Sequence, residues 1–258
     1  MTGSWLVYGG ALLALAGLLL QGKRYRRAEP LSRQTGWVAL LVGLGMIAAG
    51  LALPAPLRRS ALPAARLDEF VTAFQFSERH SIRVHAPPER VMAAVNAVPA
   101  REIRWFRTLT TIRHPPWPWR RRPPSILAPP PELPILEVAT KGGFVLLAET
   151  PREVVLGTLV IRPPGTAPTL APREFAILER RGYAKAGINF LVADEGAGWT
   201  RLSTETRVYA GDAWTLRRFA AYWRIIYPGS SLLRRSWLEA IQRRAEQGGD
   251  AANPAAPK

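Results

Sequence analysis

FQFSERHSIRVHAPPERVMAAVNAV, residues 74–98, decides the fold. Phe74, Phe76, Ile82 and Val84 fall on one side of an extended chain, and Gln75, Ser77, Arg79, Ser81, Arg83 and His85 on the other. That period of two predicts a half-buried strand. Pro87-Pro88-Glu89 then opens a helix, because proline is tolerated in a first turn and an acid suits the positive helix end. Val91, Val95 and Val98 give this helix its apolar side.

Downstream, a second short helix is expected over residues 101–112, with Glu102, Trp105, Phe106, Leu109 and Ile112 near one stripe. HPPWPWRRRPPSILAPPPELP, residues 114–134, is too rich in proline for regular structure and reads as an insertion loop. ILEVA, FVLLAET and EVVLGTLVI, punctuated by TKGG and Pro151, read as antiparallel strands. Ala184, Ala186, Ile188, Phe190 and Val192 alternate with Tyr183, Lys185 and Asn189, and WTRLSTETRVYA follows after DEGAG. Lys185, Asn189, Arg201, Glu205 and Arg207 are expected on an outer, water-facing sheet surface, where ion pairs contribute little. A long amphipathic helix begins near Asp212, with Leu216, Phe219, Ala220, Trp223, Ile226 and Tyr227 on one stripe. Pro228-Gly229 should interrupt it, and Ser230 or Ser231 can cap a restart carrying Leu233, Trp237 and Ile241.

Upstream, WLVYGGALLALAGLLL (5–20) and WVALLVGLGMIAAGLAL (37–53) contain no charge. With their neutral flanks, spans over about 4–21 and 36–53 reach the roughly 17–25 residues needed to cross hydrocarbon. Gly9, Gly10 and Gly17 in the first run, and Gly43, Gly45 and Gly50 in the second, would allow close backbone contact. The alternative is a cleaved signal peptide followed by a buried helix. Against it, the first run lacks a basic leader and a similar run follows at once. The intervening segment holds Lys23, Arg24, Arg26, Arg27 and Arg33 against Glu29, which predicts a cytoplasmic loop and a C-terminal domain on the opposite face of a bacterial inner membrane.

The expected organisation is a transmembrane hairpin over 1–53, a linker over 54–69, a folded domain over 70–247 and a disordered tail over 248–258. The order of elements is strand, two short helices, antiparallel strands and long C-terminal helix. Together with residues 75–98 and 201–241, this order resembles the SRPBCC superfamily, which includes START-like and polyketide cyclase/dehydrase-like domains. The resemblance implies an α+β helix-grip fold, in which a curved antiparallel sheet wraps the last helix around a hydrophobic cavity. The turn TKGGF is shorter than the glycine-rich loop of the family's pollen-allergen branch, and no catalytic motif carries over.

A formal charge of +16 raises the question of nucleic acid. The basic residues are nearly all arginine amid abundant Ala, Pro and Gly, and they follow no nucleic-acid-binding motif, so anionic lipid headgroups suit the charge better. The absence of cysteine and the scatter of His80, His85 and His114 argue against metal chemistry. Membrane lipids and a hydrophobic small molecule are the expected partners; no cofactor is expected.

Strict alternation puts Glu78 and His80 on the apolar side of the first strand, about 6.5 Å apart and within reach of one ligand or water. Such a pair suits acid–base work or orientation of a polar group. Alternatively, a bulge near Ser77 turns both to solvent, or the pair is structural. Trp223 and Tyr227 are expected beside them in the cavity. Glu102 is a further candidate, with a helix-dipole acid as its alternative. Trp117, Trp119, Arg120, Arg121 and Arg122 combine interfacial aromatics with phosphate-seeking cations and are expected either on the bilayer or over the cavity mouth. Three functions stay open: a membrane-tethered carrier of an apolar molecule, a cyclase- or dehydratase-like enzyme using Glu78 and His80, or a structural assembly protein whose cavity is filled by its own side chains.

Overall fold

The computed structural model describes residues 2–21, 30–60, 64–113 and 129–250. Two compact units form: one from residues up to Ala55 with Arg217–Pro228, the other from Pro56–Leu216 with the residues from Gly229 onward.

In the first unit, α1 (Thr2–Gln21) and α2 (Pro30–Ala52) are helices long and apolar enough to cross a membrane. Glycines recur every seven residues, two helical turns apart, at 3, 10 and 17 and again at 36, 43 and 50, which keeps each set on one face. The helices pack antiparallel through these faces: Gly10 meets Gly43, Gly17 meets Gly36 and Gly3 meets Gly50. A methyl group on Gly10 would come within 2.5 Å of the Gly43 carbonyl oxygen, and one on Gly43 within 2.5 Å of the Ala14 nitrogen. Gly45, also expected at the contact, points away, with nothing within 4 Å of an added methyl. Leu12, Leu15, Leu41 and Val42 stay exposed on the outer faces. The segment carrying Lys23, Arg24, Arg26, Arg27 and Glu29 lies outside the described residues. Gly10→Ile or Gly43→Ile should destabilise the hairpin by about 1–3 kcal/mol through overpacking. Thermal unfolding of the detergent-solubilised chain would read this, with Gly45→Ile leaving the midpoint unchanged.

The second unit opens with β1 (Arg58–Arg59), α3 (Leu67–Phe70) and β2 (Ala73–Phe74), the two strands pairing with each other. Next come β3 (Phe76–Val84), α4 (Pro88–Ala97), a 3₁₀ turn at Ala100–Glu102, α5 (Phe106–Arg113) and α6 (Ile135–Lys141). Then follow β4 (Phe144–Glu149), β5 (Glu153–Ile161), α7 (Pro172–Ala176), β6 (Ala184–Gly196), β7 (Trp199–Ala210) and α8 (Ala213–Asp250). Five strands form one antiparallel sheet in the order β3-β7-β6-β5-β4, so the first long strand pairs with the last and the others meander. The fold is α+β. On one sheet face Phe190, Val192 and Leu202 pack with Val91 and Val95 of α4, Ile135 of α6, and Trp237 and Ile241 of α8.

Several expectations change. The other sheet face is not open to water: α3 and α7 cover it through Leu67, Val71, Val155 and Phe175. Gly187 permits this, since a Cβ there would fall 2.7 Å from Val71. Lys185, Asn189 and Arg207 are therefore buried, while Arg201 is exposed. The segment read as a linker is partly structural, with Leu67 and Asp68 buried. ILEVATK is a helix, seated where Ile135 N–H donates to Val98 O at 3.0 Å; a short apolar run does not itself choose between strand and helix. The 101–112 helix is split around Trp105, whose φ of 63° breaks the turn. The C-terminal helix runs through Pro228 without interruption. One interior proline removes one backbone donor, and the Ser230 and Ser231 hydroxyls bond side chains of β3 instead of capping a restart.

Asp68 explains why the fold begins so early. It accepts hydrogen bonds from Ser60 Oγ at 2.5 Å, from Ala64 and Ala65 N–H at 2.8 and 2.9 Å, and from Arg207 Nη1 at 2.5 Å. Burial pushes its carboxyl up, but the bonds from Ser60, Arg207 and the two amides outweigh it and hold the pKa at about 2, below the ordinary 3.8. The sign follows from linkage: a depressed acid adds stability that is complete above pH 3.8 and is lost as pH falls toward 2. Asp68→Asn should cost about 1–3 kcal/mol at neutral pH, because it removes one of the two carboxylates that pair with buried Arg207 and weakens the bonds from Ser60 and the two amides. It should also flatten this part of the acid limb in urea titrations across pH.

Candidate functional site

The β3–β7 ladder is regular from Phe76 opposite Val208 to Val84 opposite Thr200, with no bulge at Ser77. Glu78 therefore lies across from Thr206, His80 from Thr204 and Ile82 from Leu202, on the face that packs against the distal part of α8. The Glu78 side chain is 1% exposed and that of His80 12%. Glu78 Oε1 sits 2.8 Å from His80 Nε2, and Ser230 Oγ donates to Glu78 Oε2 at 2.9 Å. Ser231 Oγ is 3.3 Å from the same His80 Nε2. One helical turn further, Arg234 Nη1 donates to Thr204 Oγ1 at 3.3 Å. A buried carboxyl group is tolerated when its oxygens are hydrogen-bonded, and each Glu78 oxygen has a polar side chain within 2.9 Å.

This geometry limits the chemistry. A serine–histidine–acid relay places serine and acid on opposite imidazole nitrogens. Here Ser231 and Glu78 share Nε2, so His80 cannot accept a proton from Ser231 there while donating from that nitrogen to Glu78. The cluster is able to share a proton between Glu78 and His80, orient a polar group, or fasten α8 to β3.

The other expected residues scatter. Glu102 is half-buried and pairs with Arg244 at 2.6 Å. Trp223 and Tyr227 fall in the first unit, their ring centroids 5.8 Å apart. Trp117, Trp119, Arg120, Arg121 and Arg122 lie outside the described residues. No cluster of three potential metal-ligating His, Asp or Glu side chains occurs among the described residues.

Two features escaped the sequence. On the opposite sheet face, Glu153 accepts from Arg66 N–H at 2.6 Å, Leu67 N–H at 3.3 Å and Asn189 Nδ2 at 2.6 Å. Beside it Lys185 Nζ donates to the carbonyls of Phe175 and Ala176 at 2.8 and 2.7 Å, closing the end of α7. Burial pushes the Lys185 ammonium down to about 8, with Glu179 opposing. The acid opening EVVLGTLVI was the available signal for Glu153; nothing local showed what would cover it.

A surface groove of ≈ 690 Å³ lies at the other end of α8, between His85, Arg90, Trp199, Gln242, Arg243 and Glu246. The Arg83 guanidinium stands 4.7 Å from the Trp199 ring centroid beside it. No family model, curated protein or solved structure matches the chain.

A double-mutant cycle between Glu78→Gln and Ser230→Ala measures how firmly the cluster fastens α8. A coupling of about 1 kcal/mol or more is expected in chemical denaturation; additive effects would mean that the hydroxyl contributes nothing to holding the carboxylate.

Proposed function

We propose that this chain is a membrane-anchored assembly module of the helix-grip type, whose grip is closed by its own side chains. One observation carries the reading. Trp237, Leu238 and Ile241 of the last helix belong to one continuous core with Phe190, Val192 and Leu202 of the sheet, and both Glu78 oxygens already have protein partners. A carrier of an apolar molecule needs lined, unfilled volume, and the burial of Trp237, Leu238 and Ile241 on this face supports a closed grip instead.

The membrane part rests on surface chemistry. A buried core helix would hide its apolar side chains, yet Leu12, Leu15, Leu41 and Val42 are exposed on both sides of the hairpin. Lipid is the solvent in which such a surface is stable. The basic segment between the spans then lies on the cytoplasmic side and the folded domain opposite. A reporter fused after Lys258 should be active only on the extracytoplasmic side of a bacterial inner membrane; cytoplasmic activity would reverse the topology.

Acid–base catalysis is the second reading, favoured by Glu78, His80 and Ser231 within 3.3 Å of one another along one chain of contacts. Native mass spectrometry of the detergent-extracted full chain separates these from a carrier. The expected spectrum holds the bare protein mass. A stoichiometric small molecule, lost together with the Glu78→Gln substitution, would replace the assembly reading with ligand binding.

A further inference from the structure

The C-terminal helix contributes its 217–228 stretch, RRFAAYWRIIYP, to the same compact unit as the two apolar helices. Three contacts fix its level along the hairpin. The Arg224 guanidinium donates to the carbonyls of Leu51 and Leu53, at the C-terminal end of α2. A Cβ built on Gly3 would lie 2.7 Å from Arg224 Nε. Tyr8 Oη donates to Ile225 O at 2.5 Å, and a helical side chain leans toward the helix N-terminus, so Ile225 lies level with the first turns of α1.

The length of the spans turns that level into a membrane depth. The 20 residues of α1 measure about 30 Å, the whole thickness of the hydrocarbon, so no turn is left to stand clear of it. Whatever is bound to the first turns of α1 and the last residues of α2 therefore sits at the lipid–water boundary. The terminal carbonyls of α2 have no partner within their own helix. Arg224, 6% exposed, supplies donors to them.

The outer surface of the stretch agrees with that depth. Arg217, Arg218, Tyr222, Ile225 and Pro228 are its exposed positions, and at 3.6 residues per turn they share one arc of about 140°. Cations occupy the first turn of that arc; Tyr222 at 36% and Ile225 at 52% exposure follow. A water-facing arc would continue in charged residues. Arginine beside an aromatic and an aliphatic side chain suits phosphates next to acyl chains. Resting on the membrane reading above, we propose that residues 217–228 form an interfacial membrane segment, with Arg217 and Arg218 on anionic lipid phosphates and Tyr222 and Ile225 entering the acyl boundary. Hydropathy misses the segment because Arg217, Arg218 and Arg224 interrupt it.

The chain contains no cysteine, so a single fluorophore can be placed at Ile225→Cys, Leu12→Cys in mid-span and Arg83→Cys on the folded domain. Each full-length variant is placed in nanodiscs of mixed phosphatidylglycerol and phosphatidylcholine, doped with lipid nitroxides near the headgroup or near the chain end. The 225 probe should lose most of its emission to the headgroup-proximal quencher, the Leu12 probe to the deep one, and the Arg83 probe to neither. Replacing Arg217 and Arg218 by Glu should relieve quenching at 225 without changing it at 12. A 225 probe quenched only by aqueous iodide, with Leu12 still quenched by lipid, overturns this proposal and spares the spans. A Leu12 probe that is also unquenched overturns the membrane reading itself. Self-quenching of the 225 probe that grows with the number of chains per disc would make the surface a contact between copies and also overturn the proposal.

Discussion

A carboxylate in a protein interior is stable only while its oxygens are occupied, and Glu78 meets that condition with one partner from its own strand and one from the last helix. The consequence is register. Apolar contacts between a helix and a sheet allow sliding at modest cost, but a shift of α8 by one turn, about 5.4 Å, would carry Ser230 away from the carboxyl group it now bonds. With Ser230 fixed, Arg234 falls at Thr204 and the next turns bring Trp237 to Phe190, with ring centroids 5.0 Å apart. The interface grades from polar to apolar along the helix, and the polar end sets the position of the apolar end. Buried polar contacts are better attested as sources of such specificity than of net stability.

The opposite sheet face is organised by the same principle with other partners. Asp68 and Glu153 collect backbone N–H groups from residues 64–67, a short stretch that would otherwise bury unsatisfied donors as it crosses the sheet. Arg207 ties Asp68 to Glu205, and Asn189 ties Glu153 to the β7 backbone. The segment before the first long strand thus becomes one layer of the domain. Burial of Leu67, Val71 and Phe175 against the sheet gives this layer its apolar content.

What the sequence disclosed follows from what local patterns encode. Period two put Glu78 and His80 on the right side of β3 because a one-residue slip would have exposed Phe76 and Val84 and buried Arg79 and Arg83. The same period sorted β6 and β7 into two faces, but it cannot say what lies over a face. Lys185, Asn189 and Arg207 alternate as solvent-facing residues do, yet α3 and α7 cover them. ILEVATK has apolar residues at 135, 136, 138 and 139, a run too short to choose between strand and helix, so the tertiary seat beside Val98 decided. Whether a cavity remained under α8 was not legible, since its volume depends on α4 and α6, which arrive from distant parts of the chain.

The hairpin poses a different question, because a cleaved leader and a retained anchor share the same apolar composition. Their demands on fine sequence differ. A leader needs an apolar stretch and a cleavage site, and it has no use for a partner surface. Here glycines stand at intervals of seven in both runs, at the positions where the two backbones meet, while Gly45, off that interval, meets nothing. Close approach of backbones is what holds helices together where lipid surrounds them, since apolar side chains gain little there by leaving lipid for one another. The match extends to the far end of the chain: Arg224 satisfies carbonyls at the end of the second run, and Tyr8 of the first run bonds the C-terminal helix. Loss of the first helix would leave Gly36, Gly43 and Gly50 without their counterparts and remove the hydroxyl from Ile225.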